Sequence, residues 1–346
     1  MRRRLMAALG AAVTAAILTV GPTLACGGLI GPNGAVNLLR TTTFAGYHAG
    51  VEHYVTAFQF AGGGGAFGSI TPLPGVPSDV EKGGDWTLQR LILETDPIVE
   101  DSLALSFAAR PAGEAEVLLE VRIDALDVTV LKGGAAEVGR WATNHGFRLP
   151  PDAPEVLDFY ARRSPIFLAA VFDADAAAER GQAIGDGTPV HITIPTTNPW
   201  VPLRILALGK TGQERVDASV YLLTGREPAL LPAPSGSNGM RLDHSAPASP
   251  ALLADLRSDR GMEWVPESGW LTKVAVDGEA QQLSYDLAID ASGQGTPSWV
   301  AAGLDVPGSG IDRVTPAQLL LIALLGLSAV ALLHLRRRVW EPPAAA

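Results

Sequence analysis

Cysteine is all but missing from this chain: Cys26 is the single one in 346 residues. No intrachain disulfide and no cysteine-built metal site can therefore form. Lysine is nearly as scarce, at Lys82, Lys132, Lys210 and Lys273, which leaves little for covalent lysine chemistry. Charged residues make up 18% of the chain, below the roughly 25% of an average soluble protein. The basic ones are the minority, 26 against 36 acidic. Such a chain lacks the basic face that neutralises phosphates, so a nucleic-acid partner is excluded. The same deficit argues against docking on an anionic lipid surface. A G-x-S-x-G elbow, a P-loop and a Ser-x-x-Lys pair are also missing, and with them the common signatures of nucleophilic and phosphoryl chemistry.

What the chain has in excess is apolar residues, 47%, and they concentrate at its ends. Arg2, Arg3 and Arg4 precede an apolar run over 5–20, Gly21-Pro22 breaks it, and Thr23-Leu24-Ala25 supplies small residues before Cys26. That is the layout of an export signal over 1–25. Near the other end, residues 316–335 are about 20 residues of apolar helix, enough to cross a hydrocarbon core. Arg336, Arg337 and Arg338 follow at once, with Trp340 as an interfacial anchor. Arginines beside a span stay cytoplasmic, so the expectation is a single-pass type I membrane protein with residues 336–346 inside and the body outside. Cys26 at the new N-terminus is a candidate for lipidation. Thr23 stands where an acylation signal prefers leucine, however, and a second anchor adds little to a chain already held by a span. The expectation is an unmodified Cys26. Once the six terminal arginines and Glu341 are set aside, the body carries a net charge of −15, against −10 for the whole chain.

Within the body, 36–44 and 51–60 read as a hairpin of β-formers around a turn at 48–50. Residues 71–77 hold three prolines and read as loop or extended edge. A helix is expected near 86–93, one or two strands over 114–131, and a helix at 135–144 with Val138, Trp141 and Ala142 on one face and Gly146 as its stop. Asp152-Ala-Pro-Glu155 has a capping-box pattern opening a helix to about Arg163. Strands are expected at 166–172, 190–194, 203–208 and 216–223. Proline, serine and glycine accumulate over 228–250. Ser249-Pro250 then caps a short helix to Arg260, which Gly261 stops. Segments 271–276 and 283–289 read as a closing pair of strands. The main extracytoplasmic domain is 26–226, residues 227–290 are an insertion and closing strands of that domain, and 291–315 is a Gly/Ser/Pro-rich stalk. Irregular alternation of strands and helices favours an α+β fold with a mostly antiparallel sheet.

Candidate chemistry is thin. The glycines at 63–65 and Gly68 satisfy G-x-G-x-x-G, but the prolines after Thr71 forbid the helix a dinucleotide site needs. His48 and His53 bracket the hairpin without a third ligand in register. Asp173 and Asp175 lack the third oxygen ligand and glycine of a calcium loop. Trp141, Trp200, Trp264 and Trp270 fit a core better than a sugar-stacking platform. No catalytic residue, cofactor or metal site is expected.

Several stretches together resemble the bacterial family known as domain of unknown function 2330: Ala25-Cys-Gly-Gly28, Phe67-Gly-Ser-Ile-Thr-Pro-Leu-Pro-Gly-Val-Pro77, Trp141-Ala-Thr-Asn-His-Gly-Phe147, Pro150, Val156-Leu-Asp-Phe-Tyr160 and Gly269-Trp-Leu-Thr272. The resemblance covers about 26–223 and the late segment, with no counterpart for 227–264. It implies an exported, often membrane-tethered bacterial protein without an assigned activity. With no catalytic signature, the function expected is an envelope binding or interaction module, its partner an envelope protein or a wall polymer. The alternative is a hydrolase that acts on envelope polymers through carboxylates far apart in sequence.

Overall fold

The computed structural model describes residues 28–31, 34–35, 41–58, 67–96, 117–123, 126–172, 188–293, 295–307 and 328. The chain divides into two compact units, Met1–Leu304 and Asp305–Ala346. Residues 1–25, Cys26, the glycines at 63–65, Asp173 and Asp175 lie outside the described residues, as does 316–335 apart from Ser328. Among the described residues no helix is long and apolar enough to cross a membrane.

The first unit opens with β1 (Gly28–Gly31) and β2 (Gly34–Ala35). The expected hairpin follows as β3 (Thr41–His48) and β4 (Val51–Phe58). Its turn, Ala49-Gly50, takes φ of 51° and 83°, the positive pair of a type I′ turn whose twist matches its strands. Then come β5 (Phe67–Pro72), β6 (Asp79–Lys82), α1 (Thr87–Thr95), β7 (Val117–Ile123), β8 (Leu126–Lys132), α2 (Ala135–Asn144), α3 (Ala153–Ala161), β9 (Ile166–Phe172) and β10 (Thr188–Pro195). The rest is β11 (Trp200–Val201), β12 (Arg215–Thr224), β13 (Ala229–Leu231), β14 (Met240–Pro247), α4 (Pro250–Ser258), β15 (Trp270–Glu279), β16 (Leu287–Asp290) and α5 (Trp299–Ala302).

These strands form three sheets, ordered β2-β1-β5-β9-β8-β7, β14-β15-β12-β3-β4-β10-β6 and β11-β16-β13. Pairing is antiparallel throughout except for β3 beside β12, so the α+β, mostly antiparallel expectation holds. Period-two alternation splits the seven-stranded sheet between two cores. Ala45, Tyr54, Val190, Ile192, Val220 and Val274 face the larger core, shared with the six-stranded sheet and with α2 and α3. Phe44, Val55, Tyr221, Leu223 and Leu271 face a smaller core roofed by Leu88 and Leu91 of α1 and Leu252, Leu253 and Leu256 of α4. β9 is buried along its whole length.

Five local expectations are corrected. Thr71 and Pro72 belong to β5, an inner strand between β1 and β9, rather than to a loop or an edge, and pair with Leu168 and Phe167. Asp152 does not cap α3; its carboxylate accepts the Gly209 N–H instead. Residues 203–208 are not a strand but a 3₁₀ turn, Arg204–Ala207, because side chains distant in sequence take up the N–H groups of Leu203, Arg204 and Ile205. β15 and β16 are not a closing pair: β15 lies between β14 and β12, and β16 between β11 and β13. Within the segment read as stalk, Ser298 caps α5, whose Ala301 and Ala302 are buried. The Asp286 N–H donates to the Ala302 carbonyl at 2.9 Å.

Candidate functional site

Asp286, fully buried just before β16, has a carboxylate that accepts four hydrogen bonds. Its Oδ1 accepts the Tyr160 hydroxyl at 2.9 Å, the Leu203 N–H at 2.7 Å and the Arg204 N–H at 3.0 Å. Its Oδ2 accepts Arg163 Nη2 at 2.5 Å. Burial pushes the Asp286 pKa up, and the Arg163 charge and these donors oppose it. Tyr160 passes the network on by accepting the Ile205 N–H at 2.8 Å. Arg163 also donates to the Ala301 carbonyl at 2.6 Å, and its guanidinium lies 4.1 Å from the Phe159 ring centre and 5.0 Å from that of Trp200. Side chains of α3 and β11 and backbone groups of the 3₁₀ turn and α5 are thereby tied to one buried carboxylate.

This network floors a cleft of about 610 Å³. Its walls are Gly50 of the hairpin turn, Pro74, the segment 195–198, Trp200, Arg163, and Ser298, Val300 and Ala301 at α5. Thr197, Asn198 and Val300 are exposed. The lining contains no histidine and no carboxylate. A glycoside hydrolase needs two carboxyl groups about 5–10 Å apart across its scissile bond, and nothing lining this cleft supplies them.

One carboxyl lies close behind the wall. Glu52 on β4 stands opposite Ile194 of β10 and Tyr47 of β3 and is completely buried. Neither oxygen has a well-formed hydrogen-bond partner, and the Trp200 backbone N–H gives weak support. Burial pushes its pKa up to about 8, so Glu52 is uncharged at neutral pH. Tyr47 beside it donates to the Thr196 carbonyl at 2.9 Å.

A second cluster occupies the opposite face of the same sheet. His53 Nδ1 lies 3.0 Å from Nε2 of His191 on β10, and His48 acts on His53 through its charge. His191 Nδ1 lies 3.1 Å from Glu81 Oε1 on β6. Burial lowers the pKa of both rings, that of His53 to about 3, with the neighbouring His191 and His48 acting in the same direction. Among the described residues no three His, Cys, Asp or Glu side chains converge as a metal site. Of the tryptophans weighed as a platform, Trp141 and Trp200 are buried. Trp264 and Trp270 are half-buried, one stacked on His53 and the other donating to Ser245.

A family model described as uncharacterized protein conserved in bacteria (DUF2330) matches residues 48–289. The chain belongs to this family. The match begins in β3, ends in β16 and runs through 227–264, the segment the sequence resemblance left without a counterpart. Glu52, His53, Glu81, Arg163, His191, Trp200, Trp264 and Asp286 all lie inside it, whereas the α5 wall of the cleft lies outside. No curated protein matches the chain. Among solved structures the chain is similar to baculovirus P35, at 9% identity over 74% of this chain and 97% of that one, with a TM-score of 0.39. It is similar as well to a mutated baculovirus P35 after caspase cleavage (9%, 72% and 98%, TM-score 0.37). The caspase-8/P35 complex gives 8%, 72% and 95%, with a TM-score of 0.35. Likenesses this distant carry no argument about activity.

Reading the sequence alone missed Asp286, Glu52 and the His53–His191 contact. Glu52 carries a signal: it shares the face of Tyr54 in an alternating strand, where a charge does not belong.

Proposed function

We propose that this family member is an exported, membrane-tethered bacterial protein whose body binds an envelope partner in the Trp200–Arg163 cleft and performs no chemistry there. The observation that carries the reading is the lining. Uncharged hydrogen-bonding groups, Thr196, Thr197, Asn198 and Ser298, stand beside the exposed Val300, and the one charge, on Arg163, is already matched by Asp286. A surface of that kind recognises shape and hydrogen bonds without a group to move a proton. The arginine-flanked run at 316–335 and the signal-like 1–25 support a type I tether, with an envelope protein or a wall polymer as the partner.

A photo-crosslinking residue placed at Asn198 or Val300 of the full chain in native envelopes tests the binding reading. Capture from both positions, and none from the exposed Leu118 away from the cleft lining, is expected. Equal capture from all three would sink the cleft as the site. Turnover of a wall polymer by the purified protein, abolished by Glu52→Gln, would replace binding by hydrolysis. Protease added to intact cells should digest the body, and an intact mass of the mature N-terminal peptide should show Cys26 unmodified.

A further inference from the structure

The chain of Glu81, His191 and His53 has proton arithmetic of its own. His53 Nδ1 and His191 Nε2 face each other at 3.0 Å, and only one proton fits between two such nitrogens. Glu81 stands directly opposite His191 in the strand register and accepts from its Nδ1. That fixes the His191 proton on Nδ1, leaves its Nε2 a lone pair, and makes His53 Nδ1–H the donor. A first added proton goes to His191, between Glu81 and His53. The ring-to-ring bond then reverses, with His53 carrying its own proton on Nε2, and no contact is lost. A second added proton has no such solution, because two N–H groups and two like charges would face each other in a buried site.

Over this pair lies Trp264. Its indole stacks on His53 with ring centres 3.9 Å apart and planes 3° from parallel. The far edge of the ring fills a slot above Gly46, where a Cβ would come within 2.0 Å of it. The indole N–H is buried without a hydrogen-bond partner. Its neighbours Met262 and Val265 are buried in the smaller core, and Arg257 donates to the Pro266 carbonyl at 2.6 Å. The backbone is therefore anchored, while the Trp264 side chain is held by stacking and apolar packing without a hydrogen bond.

We propose that Glu81, His191 and His53 form an acid-operated latch on Trp264: with no more than one added proton the latch stays shut, and with both rings charged the indole leaves its slot. Release opens an indole-sized cavity floored by Gly46 and walled by Phe44 and His53. The other titratable groups facing the pair are Asp79 beside Glu81 on β6, His48 on β3 and Glu263 on the covering segment. The acids favour the first proton on His191, and His48 disfavours the second on His53. Stacking on an indole favours a charged ring, but the burial that lowers the His53 pKa outweighs it.

The test is an acid titration of the full chain followed by acrylamide quenching of tryptophan emission, with far-UV circular dichroism recorded alongside. A reversible rise in quenching before any loss of dichroism is expected in the parent protein. His53→Gln, which cannot charge, should lose that step, and Trp264→Phe should silence it. Gly46→Ala, whose methyl group occupies the slot, should show the open quenching level at neutral pH. If His53→Gln does not fold, Glu81→Gln takes its place and should move the step to lower pH by about one unit. A step unchanged in His53→Gln or Glu81→Gln, or exposure that comes only with global unfolding, would overturn the latch.

Discussion

Glu52 sits where strand alternation leaves it no exit: one residue before His53, it shares the core-facing side with Tyr54. Its pKa stands at about 8 in the fold against an ordinary 4.5, so the native state keeps a proton that the unfolded chain releases. Its contribution is fully present below pH 4.5 and is lost as pH rises towards 8. Glu52→Gln, neutral at every pH, should raise stability by roughly 2–4 kcal/mol at pH 8 and by almost nothing at pH 4. Urea unfolding at the two pH values checks it, and equal gains at both would contradict it. Asp286, whose pKa burial also pushes up, differs in that its oxygens are held by four donors. Asp286→Ala strands the Arg163 guanidinium, whose side chain is only 8% exposed, and should cost about 3–5 kcal/mol in the same assay. A loss below 1 kcal/mol would mean that water reaches Arg163. Of these two residues only Glu52 left a signal in the sequence, which the reading of strand alternation missed. The side-chain partners of Asp286 lie 123 and 126 positions away, and no local pattern records them.

Elements were more legible than residues, wherever a neighbouring side chain builds the element. α4 shows this: Ser249 Oγ accepts the Leu252 N–H at 3.1 Å, with Pro250 in the first turn, as the Ser-Pro pair implied. The same hydroxyl donates to Glu94 of α1 at 2.7 Å, joining the two helices that roof the smaller core. Ser249→Ala should therefore cost about 1 kcal/mol for the cap and somewhat more through the lost link to Glu94. Ser249→Thr should recover most of it; urea midpoints compare the two, and a neutral Ser249→Ala would show the cap to be idle. The hairpin, α2 and β9 were legible for the same local reason. Where a distant group supplies the hydrogen bonds, local pattern misled. The apolar run 203–208 looked like a strand, yet Asp286 and Tyr160 bind its N–H groups and wind it into a 3₁₀ turn. Asp152, in a capping pattern, is drawn off to Gly209.

For the whole molecule, the irregular alternation of strands and helices indicated an α+β class, but sheet order came from contacts no local signal encodes. The parallel pair of β3 and β12 joins Thr43 to Val220, and the two late strands part company into different sheets. That same seven-stranded sheet places Glu52 on one face and the His53–His191 pair on the other, so it carries two opposed titrations. The histidines have lowered pKa values; the native state refuses protons that the unfolded chain accepts near 6.5. Their contribution is present above 6.5 and is lost as pH falls towards 3. Glu52 works the other way, losing stability from 4.5 up to 8. The sum is a bell-shaped dependence of Tm on pH with its maximum between about pH 5 and 7. The limbs are separable: His53→Gln should flatten the acid side and leave the alkaline side alone, while Glu52→Gln should do the reverse. Calorimetric scans of the three proteins from pH 4 to pH 9 decide the matter. A monotonic profile in the parent protein, or one variant flattening both limbs, would show that neither buried group controls the stability of this sheet.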